Sequence, residues 1–303
     1  MLARLQQTIT LGLLACALLL SVWGWHSGHF GWAMAAVVLL VGGYALALAL
    51  EFLMLALLNR PDPAPRPSTS QLFKAWAGEV IAAPQTFCWR QPFFSQRWPD
   101  HLPAPAQGRR GLLLVHGFFC NRGLWNSWLE RLHAQGVPFV AINLEPVFGS
   151  IDDYTGIIES AVCRLEQATG MAPVIVAHSM GGLAVRRWWL EQANAARVHH
   201  IVTLGAPHQG TWLARFAMTK NSRQMRQLNG WLNTMVARES ATSMRHFTCF
   251  YSHCDNIVFP AAMATLPGAD NRHLAGVAHV HMVSRPEPFE AVMRSLSGNL
   301  SPR

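Results

Sequence analysis

Ser179 stands in the stretch PVIVAHSMGGLAV, residues 173–185, between a β-branched apolar run and a segment with helical spacing. A serine hydroxyl is a weak nucleophile at neutral pH and needs a base. A tight strand-to-helix turn helps it, exposing the hydroxyl and setting a helix N-terminus, which favours negative charge, beneath it. Such a turn tolerates only small residues two positions before and after the serine. Gly181 meets that demand, Ala177 meets it with one methyl more than glycine, and Gly182 allows further close packing. The candidate base is His279 in LAGVAHVH, with His281 as its rival two residues on. His279 lies nearer the end of the preceding strand, and small residues before it leave its ring room to turn toward the serine. An imidazole base needs an orienting carboxylate. Asp255 in FYSHCDNIV, after the preceding strand candidate, is placed to serve. Asp270 is the next carboxylate and reads as an N-cap or turn residue before the last strand. Asp152 and Asp153, after FGS, suit the start of a helix whose N–H groups they satisfy.

Attack on a carbonyl also requires donors for the oxyanion that forms. In LLLVHGFF, His116-Gly117 turns the backbone after the first strand, so that the N–H of Phe118 can face the serine. The N–H of Met180, directly after the nucleophile, is the second candidate donor. His116 itself reads as a structural histidine that holds the loop. A metal reading of His246, Cys249, His253 and Cys254 fails, because their spacing matches no common zinc pattern and part of the set falls within a strand. Cys249 reads better as a buried thiol. No metal and no cofactor is called for.

These residues must be carried by regular elements. GLLLVHG, PFVAINL, PVIVA, HIVTLG, FTCFYS and RHLAGV read as strands. Helices are expected over Gly123–Gln135, Tyr154–Thr169, Gly181–Gln192 and Pro286–Leu296. Continuous apolar strands separated by helices predict a mostly parallel, doubly wound α/β sheet covered on both faces. In such a sheet, ligands bind at the carboxyl ends of the strands. Ser179, Asp255, His279 and the Phe118 turn all fall there. A basic, irregularly helical insertion, about 211–245, carries Trp212, Leu213, Phe216, Leu228, Trp231 and Leu232, and reads either as a small cap over an acyl pocket or as a packed lid with a solvated face.

HGFFCNRGLW, AHSMGGLAVRRW, LGAPHQGTWLAR, CDNIVFP and GVAHVHM, in this order, resemble bacterial lipase-like serine esterases of the α/β-hydrolase superfamily over roughly residues 111–296. The resemblance implies an α/β-hydrolase fold, a triad of Ser179, Asp255 and His279, and oxyanion donors at Phe118 and Met180. It implies hydrolysis of carboxylic esters of lipid or acyl type. Thioester hydrolysis and acyl transfer use the same machinery, and a non-catalytic, membrane-tethered binding protein would retain the same fold. A-x-S-x-G in place of G-x-S-x-G occurs among such lipases.

The N-terminus is of another kind. Of 303 residues 51% are hydrophobic and only 13% charged, and that charge deficit is concentrated in residues 8–58. Thr8–Trp25 and Phe30–Leu50 carry no charge, and each can cross a hydrocarbon core, which takes roughly 20 helical residues. No small-residue cleavage site follows the first run and a second run comes at once, which argues against a signal peptide. Residues 1–59 are therefore expected to form a two-helix transmembrane hairpin, 60–110 a proline-rich linker and juxtamembrane region, and 111–303 the catalytic domain. Residues 70–110 are expected to form the first edge of the sheet or to cover it. Arg4 before the hairpin and Arg60, Arg66 and Lys74 after it, with no Lys or Arg between the two runs, place both ends and the catalytic domain in the cytoplasm, against the inner membrane. Glu51 reads as an interfacial carboxylate within reach of water. The net charge of +8 comes without any nucleic-acid motif and suits an anionic leaflet. Six irregularly spaced cysteines make a poor disulfide framework.

Overall fold

Short runs of apolar residues without a polar break become strands buried on both faces. β1 (Leu112–Val115), β3 (Val174–His178), β4 (His200–Leu204) and β5 (Phe247–Tyr251) are of this kind. With β2 (Phe139–Ala141) and β6 (Asp270–His273) they form a six-stranded sheet of order β2-β1-β3-β4-β5-β6 in which every pair is parallel. The computed structural model describes residues 1–58, 64–104, 106–192, 195–239 and 244–298. Arg60 and residues 240–243 of the insertion lie outside the described residues.

Alternation along the strands divides the core. Leu113, Val115, Ile175 and Ala177 face α6 (Thr155–Thr169) and α7 (Met180–Trp189), meeting Ile158, Leu165, Leu183 and Trp188. Leu112, Leu114, Val174 and Val176 face the other way, toward Trp128 and Leu132 of α5 (Asn126–Ala134) and Phe289 and Val292 of α10 (Pro286–Leu296). The turn before α6 is capped by Ser150 and Asp153 rather than by both aspartates: the Ser150 side chain accepts from Asp152 N–H, Asp153 accepts from the Ser150 N–H at 2.8 Å, and the Asp152 carboxylate pairs with Arg187 and Trp231 instead. The chain runs outward from β1 to β2 and then crosses back to β3. That reversal between β1 and β3 is a topological switch point, where a crevice opens at the strand ends.

Three expectations are corrected. The last strand is Asp270–His273 rather than RHLAGV, because Gly276 at φ 68° turns the chain away. Asp270 thus opens β6 instead of capping a turn, and pairs with Arg272. The strand expected over PFVAINL is confined to its first part. His101 adds a single antiparallel bridge to Phe139, so residues before β1 do touch the sheet edge. In the insertion, α8 (Lys220–Gln224) and α9 (Gly230–Arg238) are short, and Leu232 and Met235 of α9 pack into the main core. Phe216, Met218 and Leu228 stay exposed.

Two long helices precede this domain: α1 (Leu2–Ser27) and α2 (Phe30–Leu58). Gly28 at φ 73° ends α1, and at Gly24 a Cβ would lie 2.2 Å from the Ala33 Cβ, so the helices meet there at backbone distance. Both are long and apolar enough to cross a membrane. α3 (Thr69–Pro84) lies against α2, Trp76 Nε1–H donating to Ala45 O at 2.9 Å and Tyr44 O–H to Val80 O at 2.7 Å. A π-helical segment (Gln85–Arg90) and α4 (Gln91–Phe94) follow and pack on the start of α1, where Gln7 donates to Pro92 O.

Candidate active site

Ser179 is the single residue between β3 and α7. Its backbone is at φ 54° and ψ −130°, a region sparsely occupied by any residue with a side chain. Close packing holds it there. A Cβ on Gly181 would come within 2.5 Å of His116 O, and one on Gly182 within 2.4 Å of the Ala206 Cβ. Ala177 is completely buried in β3, paired with Val115 and Thr203, so its extra methyl is absorbed by the core.

The Ser179 O–H donates to His279 Nε2 at 2.9 Å. On the other side of the ring, His279 Nδ1–H faces both Asp255 oxygens at 2.9 Å. The aspartate is fixed in turn by the N–H groups of Ile257 and Val258, at 2.9 and 2.8 Å to Oδ1. All three side chains are buried. Burial disfavours the imidazolium, but the Asp255 carboxylate, with Glu79 and Glu51 behind it, outweighs that and holds His279 above the ordinary imidazole pKa. Asp255 and His279 thus reach Ser179 together. His281 does not: its ring lies against α3, where a Cβ on Gly78 would be 2.5 Å from its Nδ1.

The Phe118 turn also arrives at the serine. A Cβ on Gly117 would sit 2.7 Å from the Ser179 Cβ, so only glycine allows β1's exit loop to lie so close. Met180 heads α7, where the first N–H groups have no intrahelical acceptor. His116 holds the loop from behind, Nδ1–H donating to Gly117 O at 2.9 Å and Nε2 accepting from the Leu144 N–H at 3.0 Å. Burial lowers its pKa to about 4, which keeps it neutral as that pairing requires.

Several contributors have no signature in the sequence. Gly205, at φ 53°, leaves room for the Asp255–His279 pair, since a Cβ there would lie 2.8 Å from Asp255 Oδ2. His178 Nε2–H donates to the His279 carbonyl at 3.2 Å, and the two rings lie 4.6 Å apart. Asn256 Oδ1 accepts from the His279 N–H. Glu51, read from sequence as an interfacial carboxylate, accepts from Asn256 Nδ2 at 2.7 Å. Glu79 of α3 accepts from the N–H groups of Val280 and His281. Only the positive φ of Gly205 belongs to a residue type that could have hinted at its place. The others depend on contacts between residues far apart in the chain. The four residues considered for a metal have other surroundings: Cys249 is buried in β5 with its thiol 3.6 Å from His208 Nε2, His253 Nδ1–H donates to Pro65 O, Cys254 packs with Phe52 and Ala75, and the His246 ring lies 5.5 Å from that of Trp189. Among the described residues no group of three His, Cys, Asp or Glu side chains is arranged to hold a metal ion.

Residues 112–248 match the family model described as alpha/beta hydrolase family. The chain has the α/β-hydrolase fold. The matched span contains Ser179 and ends in β5, before Asp255 and His279. Among solved structures, a mature lipase of Bacillus licheniformis is similar with a TM-score of 0.54 at 18% identity, over 65% of this chain and 95% of that one. Lipase B of Aspergillus fumigatus is similar with a TM-score of 0.55 at 20% identity, over 63% of this chain and 53% of that one. At such identities the likeness is one of fold. No curated protein sequence matches the chain.

Proposed function

We propose that the protein is a membrane-anchored serine esterase that cleaves carboxylic esters, with lipid or acyl esters as the substrate class. The observation that carries this reading is the continuous line Ser179 Oγ, His279 Nε2, His279 Nδ1, Asp255, each contact 2.9 Å long. The similarity to lipases at the level of fold agrees with it.

The Ser179 oxygen attacks the ester carbonyl carbon as His279 Nε2 takes the hydroxyl proton. Asp255 holds the ring and stabilises its charged form. The carbonyl electron pair moves onto oxygen, which accepts hydrogen bonds from the N–H groups of Phe118 and Met180. When the pair returns, the C–O bond to the leaving alcohol breaks and His279 passes its proton to that oxygen. An acyl-serine remains. Water then attacks the acyl carbon while His279 removes its proton, and collapse releases the acid and restores Ser179. No cofactor takes part.

The hairpin is proposed to span the inner membrane, with the linker and the domain from residue 111 on the cytoplasmic side. α2 has 29 residues, about nine more than the roughly 20 a bilayer core needs. That surplus contains Glu51, Phe52 and Leu55, the residues that enter the domain. Beside it, Phe73, Ile81 and Trp89 are more than half exposed, and Lys74 and Arg90 are interleaved with them. An apolar and basic collar of this kind fits the boundary between acyl chains and anionic headgroups.

Labelling with a fluorophosphonate, together with an ester panel of graded chain length, tests the chemistry. The wild type is expected to be labelled and to turn over esters, and Ser179→Ala to lose both, with kcat down by about 10⁶. Folded wild-type protein that is unlabelled and inert on short and long esters sinks the reading.

A further inference from the structure

The loop after the base begins a helical turn, and the first N–H groups of such a turn have no partner within it. Here three successive N–H groups, of His279, Val280 and His281, are all bonded from outside. Val280 and His281 donate to the two oxygens of one carboxylate, Glu79, at 3.0 and 2.9 Å. His279 donates at 3.3 Å to Asn256 Oδ1, and Asn256 is itself held by Glu51. Neither glutamate belongs to the sheet domain: Glu79 is on α3 and Glu51 on α2.

A carboxylate is seldom fully buried unless paired. Glu79 is 2% exposed and, among the described residues, forms no ion pair; the two backbone N–H groups are its hydrogen-bond partners. α3 is shaped for this approach. Gly78 lets the His281 ring touch the helix backbone, and Ala75, one turn before Glu79, packs with Phe52 of α2, Cys254 and Ala278. Cys254 and Ala278 are the immediate neighbours of Asp255 and His279 in the chain.

Resting on the esterase reading, we propose that Glu79 is a positioning residue for His279. Its carboxylate fixes the loop that carries the base, and with the Glu51–Asn256 contact it makes the membrane-proximal helices part of the catalytic centre. Among the described residues, the titratable and charged groups facing the loop are Glu79 from α3, Glu51 from α2, Asp255 from the loop after β5, His178 from the end of β3, Arg285 just before α10, and His279 and His281 themselves. Burial pushes the Glu79 carboxyl up to about 7, against the two N–H bonds that favour its charged form. Its charge adds to those that raise the His279 pKa.

The test uses the full chain in detergent micelles. Glu79→Gln keeps the shape, loses the charge and can accept only one of the two N–H groups. Tyr44→Phe, which removes the hydrogen bond from α2 to the carbonyl of Val80, next to Glu79 in α3, but leaves both carboxylate oxygens in place, is the control. Glu79→Gln is expected to lower kcat by about 10- to 100-fold with KM little changed. The acid limb of kcat/KM should move to lower pH. The downfield proton resonance of His279 Nδ1–H, assigned by its loss in Asp255→Asn, should shift. Tyr44→Phe should change none of these. A folded Glu79→Gln protein with kcat within about twofold of wild type overturns the proposal, as does a lower kcat with limb and resonance unmoved, which marks a merely structural role. If Glu79→Gln does not fold, Glu79→Asp decides: it keeps the charge but withdraws the oxygens, so kcat must fall and the resonance shift. If the wild type is inert on esters yet Glu79→Gln shifts the resonance, the esterase reading fails and the positioning role stands.

Discussion

Ser179 holds a backbone conformation that costs a residue with a side chain about 1–3 kcal/mol, and its surroundings supply the restraint. Gly117, Gly181 and Gly205 each leave a gap that a methyl would fill, respectively at the serine, beneath its turn and beside the Asp255–His279 pair. Gly205→Ala is the sharpest single test of that packing. The new Cβ would collide with Asp255 Oδ2 at a position that already has φ 53°. A fall in kcat of about 100-fold is expected from the displaced aspartate, measured beside circular dichroism to establish folding. The pH profile tests the aspartate directly. In the proposed mechanism His279 acts as a base only when neutral, so kcat/KM should fall as pH drops through its raised pKa. Asp255→Asn removes the charge that does most to raise it, which should move that acid limb to lower pH and reduce kcat by about 10⁴. Ser179, Asp255 and His279 were legible because each residue type follows a strand in the right order. Choosing His279 over His281 rested on distance from the strand end, and the contact of His281 with Gly78 supplies the reason that sequence could not.

At the scale of elements, β1, β3, β4 and β5 were legible as apolar runs because burial on both faces leaves no room for polar alternation. β6 was not, since its residues are Asp270, Asn271, Arg272 and His273, a polar edge strand held by backbone pairing to β5. The role of α3 was hidden in a stretch expected only to edge or cover the sheet. Its inner face, Leu72, Ala75, Trp76 and Glu79, recurs at helical spacing and meets partners up to some two hundred residues away in the chain. Its outer face leaves Phe73 and Ile81 in the open, with Trp89 beyond it. If this collar lies among acyl chains, brominated phospholipids should quench Trp89. In vesicles, Trp89→Phe is expected to lose part of the bromolipid-quenchable emission that the wild type shows. Equal quenching in both proteins would place the segment in water.

For the whole molecule, the hairpin and the sheet domain meet over the loops that carry Asp255 and His279, a junction invisible in a sequence that reads as anchor, linker and domain. The positive-inside tendency predicts a cytoplasmic C-terminus. A reporter fused after the last residue should be active in the cytoplasm and silent in the periplasm, and the reverse result would invert the proposed topology. The grip on the hairpin has its own consequence. The start of α1 touches the Phe119 carbonyl through Gln6, beside the turn that carries Phe118, while the end of α2 touches Asn256, beside Asp255. A domain joined to its anchor by one flexible strand can tumble and offer any face to the bilayer. Attachment at two points on opposite flanks of the serine removes that rotational freedom. In the proposed membrane arrangement, an ester arriving from the bilayer would then meet Ser179 in one fixed pose.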